Sequence, residues 1–532
     1  MRYKFTICYF LLLFTHFGVQ AQPGSLDPSF NGNGLIAFEH QGNSTRFYRV
    51  ALQPDQKIVT FGTVYSGAYK AAAFRFNPDG SPDTNFGQNG AYTSTSLFPM
   101  YTGNDGAILP DGKMILLCEA VNNPIIITLI RLTQEGKQDS TFGVNGISKF
   151  NSPLYGVIPQ KLMVQPDGKI LVFGTSESNS NTYIGFVIRF LANGNVDTDF
   201  GTNGTGAITF TAPNPNLDLE LTAGAIQPDG KIMLGGYTGT NETNALWYLT
   251  RLLPDGTLDT SFDGDGILTP NIGNLFFESV GEIIVLPDGK IIAAGYGQKL
   301  PGFHFTTLRL LSDGALDVSY GLGGKAQLSF DCCYSSIFNI IPQTDGKLVA
   351  CGYSSMNNNH YRFSLGRFKA NGNIDTEFGN QGKVIIEINH DSTSAQAYSL
   401  ALQADGKILV AGFTFDPNDA WENTGLLARL LVGDPSSSSF NPISSNFGLS
   451  ISPNPVTDAS IQVKYALQSA ATVSFTLLDK TGKQLKRLLN SVEQSAGDQE
   501  TLLQIPEDLP AGAYYLFLES SLGYQLIPMV KI

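Results

Sequence analysis

Seven near-copies of one phrase run through the chain: an Asp-Gly-Lys turn, then an Arg, then Asp-x-x-Phe-Gly-x-x-Gly. The Asp of the turn falls at Asp55, Asp111, Asp167, Asp229, Asp288, Asp345 and Asp405, and the Arg at Arg75, Arg131, Arg189, Arg251, Arg309, Arg367 and Arg429. A unit of about 57 residues recurring in this way cannot bury its own apolar face and must stack on its neighbours. That restricts the chain to a solenoid, a propeller or an array.

The content of a unit chooses among these. In the last copy, 398–403 (YSLALQ) leads into the turn Ala404-Asp405-Gly406-Lys407, then 408–412 (ILVAG), a variable loop and 426–431 (LLARLL). Short apolar runs between Gly, Pro, Asn and Asp clusters read as antiparallel strands, and none has the length or period of a helix. A fourth strand follows Phe-Gly-x-x-Gly in the other copies. The expected fold is all-β, a seven-bladed β-propeller over residues 22–432. The Asp-x-x-Phe element begins at Asp27, Asp83, Asp139, Asp197, Asp259, Asp317 and Asp375, so the first copy precedes the first turn and none follows Arg429. Residues 26–38 are therefore expected to complete the last blade and close the ring.

Composition points outside the cell. Charged residues make up 15% with a net charge of -13, which argues against a nucleic-acid or anionic-membrane partner. Arg2 and Lys4, the apolar run 5–14 and Val19-Gln20-Ala21 read as a signal peptide over residues 1–21. No other stretch approaches the roughly 20 apolar residues of a membrane helix. Cys118, Cys332, Cys333 and Cys351 are not spaced as a metal site. Cys118 and Cys351 fall at small apolar positions of strands and read as packed thiols, with a bridge from Cys351 to Cys332 or Cys333 the alternative. No metal or cofactor is expected, and the protein is expected to be monomeric.

A residue present in every unit serves a need common to every unit. In the second copy these are Asp111, Lys113, Arg131, Asp139, Phe142 and Gly146. The Arg precedes the Asp by eight residues in each intact pair, a spacing that suits an Arg-carboxylate clamp across the third and fourth strands. A calcium loop at Asp263-Gly-Asp265-Gly is the rival reading, without the dense carboxylates such loops use. Function is expected where the copies differ. The length from Arg to the final Gly is constant, whereas the two remaining connections vary, so one face of the disc is uniform and the other diverse.

Candidate ligand contacts lie on that diverse face. Aligned on the turn Asp, the residue six before it is Arg49, Asp105, Lys161, Ala223, Glu282, Asn339 or Ser399, a position left polar and diverse and expected to ring the mouth of the central channel. Trp247, His304, Tyr361 and Trp421 are further candidates. No catalytic motif is present: the mature chain has His40, His304, His360 and His390 in different blades, with no HExxH, GxSxG, P-loop or CxxC. Asp105 and Glu282 are expected nearly across the channel, too far apart for a glycosidase pair, which needs carboxyls within about 10 Å.

Residues 433–446 (GDPSSSSFNPISSN) form a Ser-rich linker, and 447–532 resume alternating apolar runs, expected as a small β-sandwich. Ser452-Pro453-Asn454-Pro455, Leu478-Asp479 with Gly482, 509–514 (LPAGAY) with Gly512 and Tyr514, and the terminal Val530-Lys531-Ile532 resemble the type A sorting domain of the type IX secretion system of Bacteroidota. The resemblance implies export by the outer-membrane translocon to the cell surface or beyond. The repeats, through 165–170 (QPDGKI), 251–256 (RLLPDG) and 375–379 (DTEFG), resemble the delta-60 family of predicted β-propellers, which implies a fold and no activity. Gln56 stands where that turn has Gly, Tyr320 where the motif has Phe, and Asn31 and Asp263 where it has Gly. The expected function is non-enzymatic binding of a glycan or protein ligand on the diverse face. A structural envelope component, or a polysaccharide hydrolase or lyase, is the alternative.

Overall fold

The computed structural model describes residues 22–94, 105–120, 126–151, 155–178, 182–201, 204–240, 243–270, 278–299, 302–330, 334–355, 360–388, 394–416 and 419–432, and then 449–454, 456–457, 459–467, 470–479, 484–506, 509–520 and 523–531. Residues 1–21, expected as a signal peptide, residues 433–446, expected as a linker, and Cys332, Cys333 and Pro455 lie outside them. All regular structure among the described residues is strand. Residues 26–430 form seven four-stranded antiparallel sheets.

The first sheet runs Ser44–Leu52, Ile58–Tyr65, Tyr69–Phe76 and Ala91–Thr93 in spatial order. Its second and third strands, IVTFGTVY and YKAAAFRF, are buried almost throughout. Continuous apolar runs are what a strand covered on both faces requires, and each sheet here lies between two others. The last sheet is Ser394–Leu402, Ile408–Asp416 and Asp419–Leu430, completed at its edge by Leu35–Phe38. Leu35 pairs with Ala428, Phe38 with Gly425, and Leu26 bridges Leu430. Phe30, Ile36, Leu409 and Leu427 share one core with Phe47, Val50 and Phe74 of the first sheet, so the sheets form a closed ring.

The invariant residues build the joints of that ring. In all seven units Arg Nε donates to the motif Asp at 2.7–2.8 Å, from Arg75 and Asp83 to Arg429 and Asp27. The turn Lys reaches the same carboxylate at 2.9–3.3 Å. The guanidinium lies over the motif ring at 4.4–4.9 Å. Its Nη1 then crosses to the next sheet: Arg75 donates to Gln134 O at 2.6 Å, Arg131 to Ala192 O at 2.7 Å, and Arg429 to Pro78 O. One planar cation thus joins its own carboxylate, its own ring and its neighbour's backbone. The Asp-Gly-Lys turn places Gly at positive φ, and Gln56 adopts φ 65° in the first copy where the others have Gly.

The C-terminal part has a three-stranded sheet, with order Ser450–Ser452, Ser460–Leu467 and Gly497–Gln504, and a four-stranded sheet of Gln484–Gln494, Ala471–Asp479, Gly512–Ser520 and Gly523–Lys531. Ile461, Val463 and Leu503 of the first share a core with Val473, Phe475, Leu516 and Met529 of the second. Asn454 Oδ1 accepts from Val530 N at 2.9 Å, Val456 bridges Lys531, and Tyr514 Oη donates to Pro510 O at 2.8 Å.

Two outcomes are expected. Burial alone would raise the Asp27 carboxyl, but hydrogen bonds from Ser29 and Lys407 and the Arg429 charge bring it down to about 2. The other six clamp carboxyls are also lowered. A carboxyl more acidic in the folded than in the unfolded chain stabilises the fold above the ordinary carboxylate range, and that stability disappears as pH falls through the folded values. Melting temperature, followed by circular dichroism, should be level in this respect above about pH 5 and fall between about pH 4 and pH 2. Gln56→Gly, which relieves a left-handed side-chain residue, should raise stability by about 0.5–1 kcal/mol in a denaturant titration.

Candidate functional site

The aligned positions lie within the first strand of six sheets, and Asp105 immediately precedes Gly106–Ile108, the first strand of the second. Each adjoins a β-bulge in six of the sheets, with register shifts at 47/49, 159/161, 221/223, 280/282, 337/339 and 397/399. A bulge sets two successive residues against one partner and re-aims their side chains. Arg49, Asp105, Lys161, Glu282, Asn339 and Ser399 bond to one another and to neighbouring first strands.

Glu282 is the hub. Its Oε2 accepts from Asn339 Nδ2 at 2.6 Å and lies 3.2 Å from Lys161 Nζ and 3.8 Å from Arg49 Nη1. Lys161 also donates to Gly281 O at 2.8 Å, and Arg49 Nε lies 3.7 Å from Asp105 Oδ1. The remaining acceptors cap backbone amides of the next sheet: Asp105 takes Leu162 N at 3.0 Å, Asn339 takes Leu400 N at 3.0 Å, and Ser399 takes Val50 N at 3.1 Å. Burial pulls the Arg49 guanidinium down, yet the Asp105 and Glu282 charges outweigh it and hold Arg49 above its ordinary value. Two cations face two carboxylates, so the cluster is neutral and asks for no ion.

This arrangement corrects two expectations. The polar positions are tied to one another and to neighbouring strands, with Asp105 and Glu282 buried and Arg49 partly exposed. The two carboxylates are not far apart either, since both touch the Arg49 guanidinium and so lie within about 10 Å of each other, the span a glycosidase pair needs. Each is instead committed to a cation. Cys351, paired in register with Asn339, is free and buried, its thiol pushed well up by burial and by Glu282.

Other candidates divide. Trp247 is fully buried and donates Nε1 to Tyr296 O at 3.0 Å, which makes it a core residue and corrects its reading as a ligand contact. His304 is buried as well. The Trp421 side chain lies outside the described residues. Tyr361 is half-buried, 4.9 Å from Tyr353 and 5.9 Å from Phe415.

Tyr361 belongs to an aromatic arc that the alignment on Asp minus six overlooked. The bulged residues just before that position are Tyr48, Phe338 and Tyr398 in the first, sixth and last sheets, against Gln160, Thr222 and Gly281 in the third to fifth. Phe338 stacks on Tyr398 at 4.8 Å and Tyr398 on Phe413 at 5.0 Å, with Tyr48 edge-on to both members of the second pair. The Arg46 guanidinium covers Phe413 at 5.3 Å and Tyr69 at 5.5 Å. Beside the arc, Tyr334 stacks on Phe303 at 5.3 Å and stays 49% exposed. Reading the sequence one residue earlier, at Asp minus seven, would have found the three bulged aromatics.

Residues 53–86, 165–200, 227–262, 286–320, 343–378 and 403–432 match the model of a family described as a domain of unknown function (DUF5122) beta-propeller. The chain is a β-propeller repeat protein. The second copy, with its Arg131–Asp139 clamp, lies outside the matched segments. No curated protein matches. Among solved structures, a fungal alcohol oxidase of the AA5 family in complex with copper is similar at 14% identity and TM-score 0.44, over 96% of this chain and 99% of that one. A protein of unknown function from Dyadobacter fermentans shares 11% identity at TM-score 0.38, over 75% of this chain and 100% of that one. The polysaccharide lyase Uly1 shares 11% at TM-score 0.42, over 73% and 90%. Likenesses this distant say nothing about activity.

The hub has a measurable weight. Glu282→Ala leaves Arg49 and Lys161 facing each other without their shared carboxylate and should destabilise by about 3 kcal/mol in equilibrium unfolding. Ser399→Ala, which removes one capped amide, should cost about 1 kcal/mol.

Proposed function

We propose that this chain is a secreted or cell-surface propeller of seven blades that binds a glycan or protein ligand on its diverse face without catalysing a reaction. Residues 447–532 would then be a β-sandwich that directs export through the type IX machinery. The carrying observation is the aromatic arc. Its tyrosines and phenylalanines gather around the first, sixth and last sheets. Large, rigid rings with polar edges give contact area at little entropic cost and suit a sugar face or a protein loop.

The same geometry weighs against turnover. Asp105 and Glu282 are held by Arg49, Lys161 and Asn339, so neither is poised as an acid or a nucleophile. The export reading draws on the C-terminal residues that carry its resemblance. Asn454 bonds to Val530, Gly512 pairs with Lys531, and Tyr514 ties back to Pro510, so these separated elements meet in one place.

The test is retention of residues 22–532 on a glycan array and on immobilised envelope proteins, beside a Tyr334→Ala, Tyr361→Ala double variant. These side chains are exposed or half-buried, so the variant's melting temperature should shift by less than about 3 °C. Specific retention by the parent that falls at least about tenfold in the variant, a loss of about 1.4 kcal/mol, supports a binding role. Retention equal in both, or none on any surface, removes the aromatic arc as a binding site and favours the envelope-component reading.

A further inference from the structure

Glu282 is closed to an outside ligand because both its oxygens are taken, Oε1 by Ile283 N at 3.2 Å and Oε2 by its side-chain partners. Two of those partners can react with each other. Lys161 Nζ lies 3.2 Å and Asn339 Nδ2 2.6 Å from the same atom, Glu282 Oε2. A lysine amine is a nucleophile and the carbon of a carboxamide an electrophile, so the carboxylate holds a reactive pair together. Among the seven aligned positions Lys161 is the one amine and Asn339 the one carboxamide, and they meet here from the third and sixth sheets.

The surroundings supply what joining the two requires. Asn339 is buried, and its amide is held at both ends: Nδ2 by Glu282, and Oδ1 by the backbone N–H of Leu400 at 3.0 Å. That N–H points where negative charge gathers when the amide carbon is attacked. The Lys161 side chain stays 22% exposed and is steadied by Gly281 O at 2.8 Å, beside the hub. Its four-carbon stem is flexible enough to swing Nζ to a near-attack approach of about 3–3.5 Å. Glu282 Oε2 touches both the nitrogen that must lose protons and the nitrogen that must gain one, which is the position a proton carrier needs.

We propose that Lys161 and Asn339 join in an isopeptide bond, with Glu282 carrying the protons, so that the third and sixth sheets are covalently tied. Glu282 takes a proton from the Lys161 ammonium, and the freed amine attacks Asn339 Cγ. The oxyanion that forms rests on the Leu400 N–H. Glu282 passes its proton to the Asn339 amide nitrogen, the oxyanion collapses, the bond from Cγ to that nitrogen breaks with its electron pair, and ammonia leaves. The surplus proton on Nζ then returns to Glu282. One C–N bond has replaced another, nothing is oxidised or reduced, and no co-reactant is consumed. The charges balance as well: Lys161 and Glu282 end neutral together, and Arg49 keeps Asp105 as its partner. The step is a single self-modification, independent of any ligand held by the aromatic arc.

The experiment is a tryptic peptide map by mass spectrometry of the folded chain 22–532 after prolonged incubation, beside Lys161→Arg and Glu282→Gln. The parent should yield one product in which the peptides of Lys161 and Asn339 are joined, lighter than their sum by one ammonia, about 17 Da. An N-terminal Gln22 also releases ammonia when it cyclises, so the joined peptide and not the whole mass is decisive. Lys161→Arg keeps the charge but carries no amine, and its map should hold no joined product. In Glu282→Gln the product should appear about a hundredfold more slowly. On a denaturing gel the joined parent should run ahead of Lys161→Arg, because residues 161–339 stay closed in a loop. A folded parent whose Lys161 and Asn339 remain in separate peptides would overturn the proposal, and so would a joined product that forms at the parent rate in Glu282→Gln. Should Glu282→Gln not fold, the parent map decides alone.

Discussion

Everything in the ring rests on one guanidinium repeated in each unit. Apolar faces of neighbouring sheets attract without direction, and nothing in their contact fixes how far one sheet slides over the next. The clamp Arg supplies that direction. Nε is committed to a carboxylate of its own unit, its flat face to a ring of its own unit, and Nη1 to a carbonyl of the next. Arg131, Arg251 and Arg309 add Nη2 to a hydroxyl two residues past the Asp. A cation this buried is tolerable because nearly every donor it has is used, and the same saturation makes Lys a poor substitute.

The eight-residue spacing of Arg and Asp was legible in the sequence because two adjacent antiparallel strands joined by a tight turn bring such residues side by side, and every unit repeats the experiment. The closing strand was legible for a related reason: an unmatched Asp27 at one end and an unmatched Arg429 at the other name each other. The channel was not. A bulge shifts register by one residue while leaving composition untouched, so Tyr48, Phe338 and Tyr398 look in the sequence like ordinary neighbours of the polar positions. Reach across the axis is equally silent. Arg49, Lys161 and Asn339 meet on Glu282 because long side chains from different innermost strands converge, and no pairwise spacing encodes that convergence. Trp247 misled because an aromatic near a variable connection looks available until the strand Thr243–Leu252 carries it inward.

The two faces of the disc obey different rules. On the uniform face every unit solves the same problem in the same way, down to the hydrogen bonds of each turn. Towards the other face the units diverge, with aromatic rings on one arc and Gln160, Thr222 and Gly281 on the other. Between them the neutral cluster ties six of the seven innermost strands, Ala223 being the exception, and gives the diverse face a floor that does not move with its loops.

That floor has a consequence for the evolution of ring size. The clamp is a head-to-tail contact, indifferent to how many units pass it on, so a duplicated or deleted repeat would find its Arg, Asp and Phe partners intact. Glu282 is not indifferent. It collects side chains from particular units at particular distances across the axis, and an extra or missing repeat would change those distances and strand Arg49 and Lys161. Gene-level gain or loss of a repeat is therefore checked at the axis by a single carboxylate, while the rim would let it pass.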